Sequence, residues 1–429
     1  MSSVGIEALN VYCGVAKLDL ELFAAARRLS PTRFHKLLMR EKSVAMPYED
    51  AVSYAVNAAR PLVKALTATE KQRIELLVVC TESGIDFSKS VSSYVHDHLE
   101  LGRNCRQFEI KQACYAATAG LQTAIHFVLA STSPDAKALV IASDISRFLP
   151  KQEEAGHPSP PSGAEDWAYA EPSSGAGAVA FVVSREPRIF QIDVGCSGYY
   201  GYEVMDTARP TPDSEFGNPD LSLLSYLDCC ESSYRHYQTR VVDVDYKDSF
   251  GYLAFHTPFG GMVKGAHRNM MRKWKRSRPE EIDADFTARV EPGLRHCQRV
   301  GNIMGGTVFL ALASTIDHGS FESPQRIGMS SYGSGCCSEF WSGVVTSQAQ
   351  ALLAKQNIFG HLSARHSLSM AEYEHLLRCG RSVAFGTRNV TVDDDVIPEV
   401  RQCIRARAPG DELLVLRSID EFHRKYEWA

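Results

Sequence analysis

Lys111-Gln112-Ala113-Cys114-Tyr115-Ala116-Ala117-Thr118-Ala119-Gly120-Leu121 sets a cysteine immediately ahead of a long uncharged stretch. From Tyr115 to Ala130 there is no Asp, Glu, Lys, Arg or Pro, so a helix can run on while every face meets protein. A helix apolar all round belongs inside a fold. The free N–H groups of its first turn and the positive end of its dipole favour a thiolate at Cys114, which predicts a lowered pKa and a nucleophile. Two all-apolar runs flank this helix in sequence, Leu76 to Cys80 and Ala138 to Ala142. Runs of that length read as strands covered on both faces, so the fold class is α/β with a buried sheet.

Outward from this centre the same order appears twice. A helix (Cys114 to Ala130), a strand (Ala138 to Ala142) and a Gly-led strand (Gly175 to Val183) recur as Asn302 to Ile316, Arg326 to Ser331 and Gly333 to Val345. Two copies of one βα unit account for a chain of 429 residues, and they set Cys114 and Asn302 at equivalent helix starts. Ahead of the first copy, Ile6 to Cys13 reads as a strand, and Asp19 to Leu29 and Glu49 to Leu66 as helices. Between the copies, Gln191 to Met205 alternates like a strand, Arg209-Pro210-Thr211-Pro212-Asp213 is turn material, and Ser222 to Gln238 reads as a helix. Pro150 to Pro172 is an expected exposed excursion, rich in Pro, Ser, Gly and acids.

Composition excludes several classes. The net charge is −5, with 44% hydrophobic and 23% charged residues, which suits a globular protein and not a nucleic-acid binder. No run is read as a membrane span, and the first residues lack the basic and apolar blocks of a signal peptide, so a cytoplasmic location is expected. The 12 cysteines include no Cys-x-x-Cys pair, so reduced thiols and no metal site are expected.

Four positions carry residue types that acyl-transfer chemistry uses: Glu82 after a buried strand, Cys114, His256 at the end of Gly251 to Phe255, and Asn302. A thiolate exchanges one thioester for another, a buried carboxylate removes the proton next to an acyl carbonyl, and an imidazole or amide holds a developing oxyanion. Singly, each has a plain structural reading: a loop acid, a core histidine, a helix cap.

Ala113-Cys114-Tyr115-Ala116-Ala117-Thr118, Thr81-Glu82-Ser83-Gly84-Ile85-Asp86, Phe255-His256-Thr257-Pro258-Phe259, Gly301-Asn302 and Ser331-Tyr332-Gly333-Ser334-Gly335 together resemble the 3-hydroxy-3-methylglutaryl synthase family. The resemblance implies a thiolase fold, a duplicated five-layer αβαβα architecture, usually dimeric. Its N-terminal half would be residues 1–185, carrying Glu82 and Cys114, and its C-terminal half residues 186–429, carrying His256 and Asn302. It implies that Cys114 is acetylated, that Glu82 is the general acid/base, that His256 helps hold the acceptor, and that Asn302 and Ser334 give polar support. The implied reaction is acetyl transfer to Cys114, enolisation, aldol attack on a β-keto thioester, and hydrolysis of the Cys114 thioester.

Two departures from the family pattern narrow the expectation. Gly260, Gly261 and Gly265 stand where the isoprenoid synthases carry Cys and Lys, so lysines that would pair with coenzyme A phosphates are missing. Phe148 stands in place of a common Tyr. Both suit the branch that works in polyketide β-branching, where donor and acceptor acyl carrier proteins deliver acyl groups on phosphopantetheine and no cofactor is tightly bound. Arg33, Lys264, Arg268 and Arg272 are the candidate carrier-binding cations. The alternatives are the coenzyme A enzyme of the mevalonate pathway, a decarboxylating ketosynthase, which needs no base at Glu82, and a non-catalytic carrier-binding scaffold.

Overall fold

The computed structural model describes residues 3–130, 133, 135–147, 170–405 and 410–429. Phe148 and most of the Pro150 to Pro172 stretch lie outside them. In chain order the strands are β1 (Gly5–Tyr12), β2 (Ala16–Asp19), β3 (Glu41–Val44), β4 (Ile74–Cys80), β5 (Arg106–Ile110), β6 (Lys137–Ile145) and β7 (Ala176–Ser184). The second half adds β8 (Phe190–Gly201), β9 (Thr207–Thr211), β10 (Ser214–Gly217), β11 (Tyr252–Phe255), β12 (Gln325–Gly333) and β13 (Cys337–Val345).

Nine of these form one sheet in the order β11-β12-β13-β8-β1-β7-β6-β4-β5. Its two arms repeat one pattern: β4 runs parallel to β6 and β6 antiparallel to β7, as β11 runs parallel to β12 and β12 antiparallel to β13. The arms meet where β1 and β8 pair at Gly5↔Gln191 and Ile6↔Phe190.

Strand alternation builds the layers. Leu76, Val78 and Cys80 of β4 face one way and Leu77 and Val79 the other. The first set, with Val140 and Phe181, packs on the helices Ala116–Ala130 and Thr307–His318, which meet Met329, Trp341 and Val345 of the other arm on their far side. The second set packs on Val52, Val56 and Val95 of the helices Ala51–Lys64 and Val91–His98. Beyond the other arm, Leu253, Phe255 and Phe340 pack on Tyr234 and Tyr237 of the helix Pro219–Arg240 and on Met262 and Met270 of the helix Gly260–Lys275. The order is helix, sheet, helix, sheet, helix: the five layers of the thiolase fold.

Three sequence expectations change. The stretch Ala113–Ala130, with hydropathy 1.3, is long and apolar enough to span a membrane by composition, yet it is the middle layer. It is not covered all round: Ala119, Gln122 and Phe127 are partly exposed and His126 is exposed. The Arg209 to Asp213 stretch is not a simple turn. β9 and β10 form a hairpin, with Thr207 opposite Gly217 and Thr211 opposite Ser214.

After β13 the chain returns to the N-terminal half. A strand His366–Leu368 adds to β2, and Asn57 exchanges hydrogen bonds of 2.8 and 3.1 Å with the backbone of Leu414.

Candidate active site

Cys114 sits two residues before its helix begins, after Ala113, whose φ of 43° is rare for a residue with a Cβ. The sharp turn aims the sulfur at the carboxyl end of β4 and away from the helix axis. There Glu82 Oε1 accepts the Cys114 S–H at 3.3 Å. Burial, then the facing carboxylate, hold the Cys114 thiol well above its ordinary value. This reverses the lowered pKa expected from the helix start: desolvation and a negative neighbour outweigh the helix dipole, so the resting group is a thiol.

Glu82 is itself pushed up to about 7, first by burial and then by Asp144. Asp144, on β6, is buried, and burial raises its own carboxyl. Its Oδ1 accepts from the Glu82 backbone N–H at 2.8 Å, from Ser83 Oγ at 2.9 Å and from Thr81 Oγ1 at 3.1 Å, which fixes the Glu82 loop. Arg209, on β9, brings Nη1 to 3.9 Å from Glu82 Oε2 and favours the ionised carboxylate. Burial likewise raises Glu215, on β10.

His256 follows β11, its backbone N–H bonded to Ser330 O at 2.8 Å and its carbonyl accepting from Tyr226 at 2.8 Å. Burial lowers its pKa to about 3, so the imidazole is neutral. Asn302 spends its Oδ1 on Met304 N–H and Thr307 Oγ1, at 3.0 and 2.9 Å, which turns its amide nitrogen into the donor left for the cavity. It lies five residues before the helix Thr307–His318. Met304, at φ 47°, repeats the turn of Ala113, so the counterpart of Cys114 in the second copy is Gly305, and Asn302 is set further back.

Cys114, Glu82, His256, Asn302, Ser334 and Arg33 all line one cavity of about 720 Å³. The structure therefore unites the five predicted polar residues with Arg33 at the mouth. Lys264, Arg268 and Arg272 do not reach it. They lie along the outer helix Gly260–Lys275, where Lys264 pairs with Asp283 at 2.8 Å and Arg268 and Arg272 are exposed. Asp144, Arg209 and Glu215 were not singled out from sequence. An acid closing the apolar run of β6 was a visible signal for Asp144; nothing marked the other two.

The glycines after the histidine have a steric cause. Gly261 donates its N–H to Leu37 O at 3.1 Å, and a Cβ at Gly261 would stand 1.9 Å from Lys36 O. One at Gly260 would stand 2.9 Å from Leu38 Cβ. Larger residues would push away the segment that carries Arg33 and Lys36 over the cavity. Among the described residues no group of three or more His, Cys, Asp or Glu is arranged to hold a metal.

Residues 1–187 match the N-terminal, and residues 280–425 the C-terminal, domain of hydroxymethylglutaryl-coenzyme A synthase. The chain belongs to the hydroxymethylglutaryl-coenzyme A synthase family. The synthase is 58% identical, over the full length of both chains, to the polyketide biosynthesis 3-hydroxy-3-methylglutaryl-ACP synthase PksG of Bacillus subtilis strain 168. It is 32% identical to a hydroxymethylglutaryl-CoA synthase of Enterococcus faecalis, across 87% of this chain and 91% of that one. The crystal structure of the curacin biosynthetic pathway HMG synthase in complex with acetyl donor-ACP superposes with a TM-score of 0.94 and 62% identity, covering all of both chains.

Proposed function

We propose that this synthase performs β-branching in polyketide assembly, with acyl carrier proteins as acetyl donor and as acceptor. The observation that carries the reading is the Cys114 S–H held on Glu82 at 3.3 Å inside a cavity shared with His256 and Asn302. A nucleophile and a base in direct contact serve two consecutive proton transfers.

In the first stage Cys114 attacks the donor thioester as Glu82 takes the thiol proton. The C–S bond to the phosphopantetheine breaks, and Glu82 returns the proton to the departing sulfur. The regenerated carboxylate then removes a proton from the acetyl methyl group. The enolate carbon bonds to the β-keto carbon of the acceptor, and the new alkoxide takes up the proton that Glu82 drew from the methyl group, which restores the carboxylate. A neutral His256 and the Asn302 amide are suited to hold that oxygen, because each donates a hydrogen bond without fixing a full charge there. Water then cleaves the Cys114 thioester. Residues 1–185 thus supply nucleophile and base, and residues 186–429 supply the groups facing the acceptor.

Carrier-borne substrates, in preference to free coenzyme A, are supported by the higher identity to the carrier-protein enzymes and by Gly260 and Gly261, which seat the Arg33–Lys36 segment at the mouth. There Arg33 and Lys36 can take the phosphate of the arm, with Arg268 and Arg272 on the outer helix meeting the acidic carrier. A homodimer suits the remaining surface. β5 is an edge strand with Phe108 37% exposed, beside the open face of the central helix, where Arg106 lies 5.8 Å from the Phe127 ring centre. Twelve free cysteines fit a reducing cytoplasm.

The test is intact-mass spectrometry after incubation with an acetylated donor carrier protein or with acetyl-coenzyme A. One acetyl on Cys114 from the carrier alone is the expected result. Rapid loading from coenzyme A would assign the mevalonate reaction, and no loading from either would leave a carrier-binding scaffold.

A further inference from the structure

Among the cations that line the cavity, Arg209 stands against Glu82, and the steps above do not use it. Arg209 is only 10% exposed in its side chain, lies on the hairpin strand β9, and lines the same cavity as Cys114. One nitrogen is anchored: Nη2 donates to Ile145 O at 3.2 Å and Pro212 O at 2.5 Å. The other two are not. Among the described residues Nε and Nη1 have no hydrogen-bond partner, although Nη1 stands 3.9 Å from Glu82 Oε2.

A buried guanidinium with unspent donors is costly unless a ligand completes it. The planar fork fits a carboxylate. Neither the acetyl donor nor the β-keto acceptor carries a carboxylate at the reacting end. One forms only at the last step, when the Cys114 thioester is hydrolysed. That anion would be born in a cavity lined by the acids Glu82 and Glu215, and Arg209 is a positive charge that acts on both.

The geometry points to Arg209 as the group that receives the product carboxylate and, between turnovers, stands as the counter-charge beside Glu82. This deepens, and rests on, the hydrolysing-synthase reading. In the step, water oxygen bonds to the acyl carbon and the C–S bond breaks. One water proton ends on the Cys114 sulfur, the other leaves through Glu82 to solvent, and the carboxylate pairs with Arg209. Glu82 is faced by Cys114 ahead of the central helix, Asp144 on β6, Arg209 on β9 and Glu215 on β10. Arg209 is the one cation among them, and it and the Cys114 S–H favour the charged form of Glu82, while Asp144 and Glu215 oppose it.

The experiment compares wild type with Arg209→Gln and Arg209→Lys, each supplied with an acetylated donor carrier and a β-ketoacyl acceptor carrier and followed by intact mass. In Arg209→Gln, Cys114 should still become acetylated, which also shows that the variant folds. The covalent adduct joining enzyme and acceptor carrier should accumulate, with release slowed about 100-fold. Arg209→Lys should recover part of that loss. The acid limb of acetyl-methyl exchange in D2O should move up by roughly one pH unit in Arg209→Gln, because an ion pair with Glu82 is lost. Should Arg209→Gln fail to fold, slowed release and an adduct in Arg209→Lys test the same point. Normal release with an unmoved limb overturns the role of Arg209; a wild type that never forms an acetyl-enzyme from the carrier overturns the underlying reading instead.

Discussion

Asp144→Asn separates charge from geometry at the base. The asparagine carbonyl can keep accepting from the Glu82 backbone, Ser83 and Thr81, so the loop should stay in place. What goes is a negative charge that opposes ionisation of Glu82. Glu82 stands at about 7 against an ordinary 4.5, and burial is the larger cause, with Asp144 second. Asp144 is thus the largest removable charge that raises Glu82, and its loss should lower the Glu82 pKa by on the order of one unit, or about 1.4 kcal/mol. Because the base works deprotonated, activity rises with pH through its pKa, so the acid limb should move from near 7 to near 6. The assay is deuterium uptake by the methyl group of the acetyl-enzyme across that range, which reads enolisation without the acceptor. A limb that stays put or moves up would refute the electrostatic assignment, since Arg209→Gln is expected to move it the opposite way. The raised carboxyls also predict a folding effect. Glu82 and Asp144 bind protons more tightly folded than unfolded, so wild-type stability falls as pH rises from about 4 to about 7, and Asp144→Asn should flatten that fall in chemical denaturation.

Cys114→Ser should give no acetyl-enzyme at the wild-type rate, read by mass after donor loading, because a buried hydroxyl on Glu82 is a far weaker nucleophile than a thiol. Gly261→Ala places a Cβ against Lys36 O and should cost about 1–3 kcal/mol in thermal or urea unfolding. Gly265→Ala, with nothing within 4 Å of its Cβ and a helical backbone, should instead be neutral or stabilise by up to about 1 kcal/mol. Arg33→Glu should raise the KM for the acetylated carrier without lowering kcat, and the effect should shrink with added salt. An unchanged KM would move the docking surface elsewhere.

Much of the fold was legible because burial writes a period into sequence. The runs at Leu76 to Cys80 and Ala138 to Ala142 lie within β4 and β6, and Asp50 caps the helix read from Glu49 by accepting from the Val52 and Ser53 N–H groups. The short strands β2, β3, β9 and β10 were not legible. Each is four or five residues long, pairs with a partner supplied by tertiary contact, and has too few residues to display a pattern.

The site divides in the same way. Sequence by itself singled out Glu82, Cys114, His256 and Asn302 as candidates, because strand ends, helix starts and the motifs around them lie in neighbouring residues. It also determined that a duplicated α/β core would hold them. Only the tertiary structure decided their electrostatics. The expected thiolate at Cys114 became a thiol because burial and Glu82, 32 residues away and facing the sulfur, both oppose a negative charge there. Glu82 owes its elevated pKa to burial and to Asp144, and its counter-charge to Arg209 on the hairpin strand β9. Coulomb and desolvation energies depend on distances through space and on excluded water, and neither is a property of sequence neighbours.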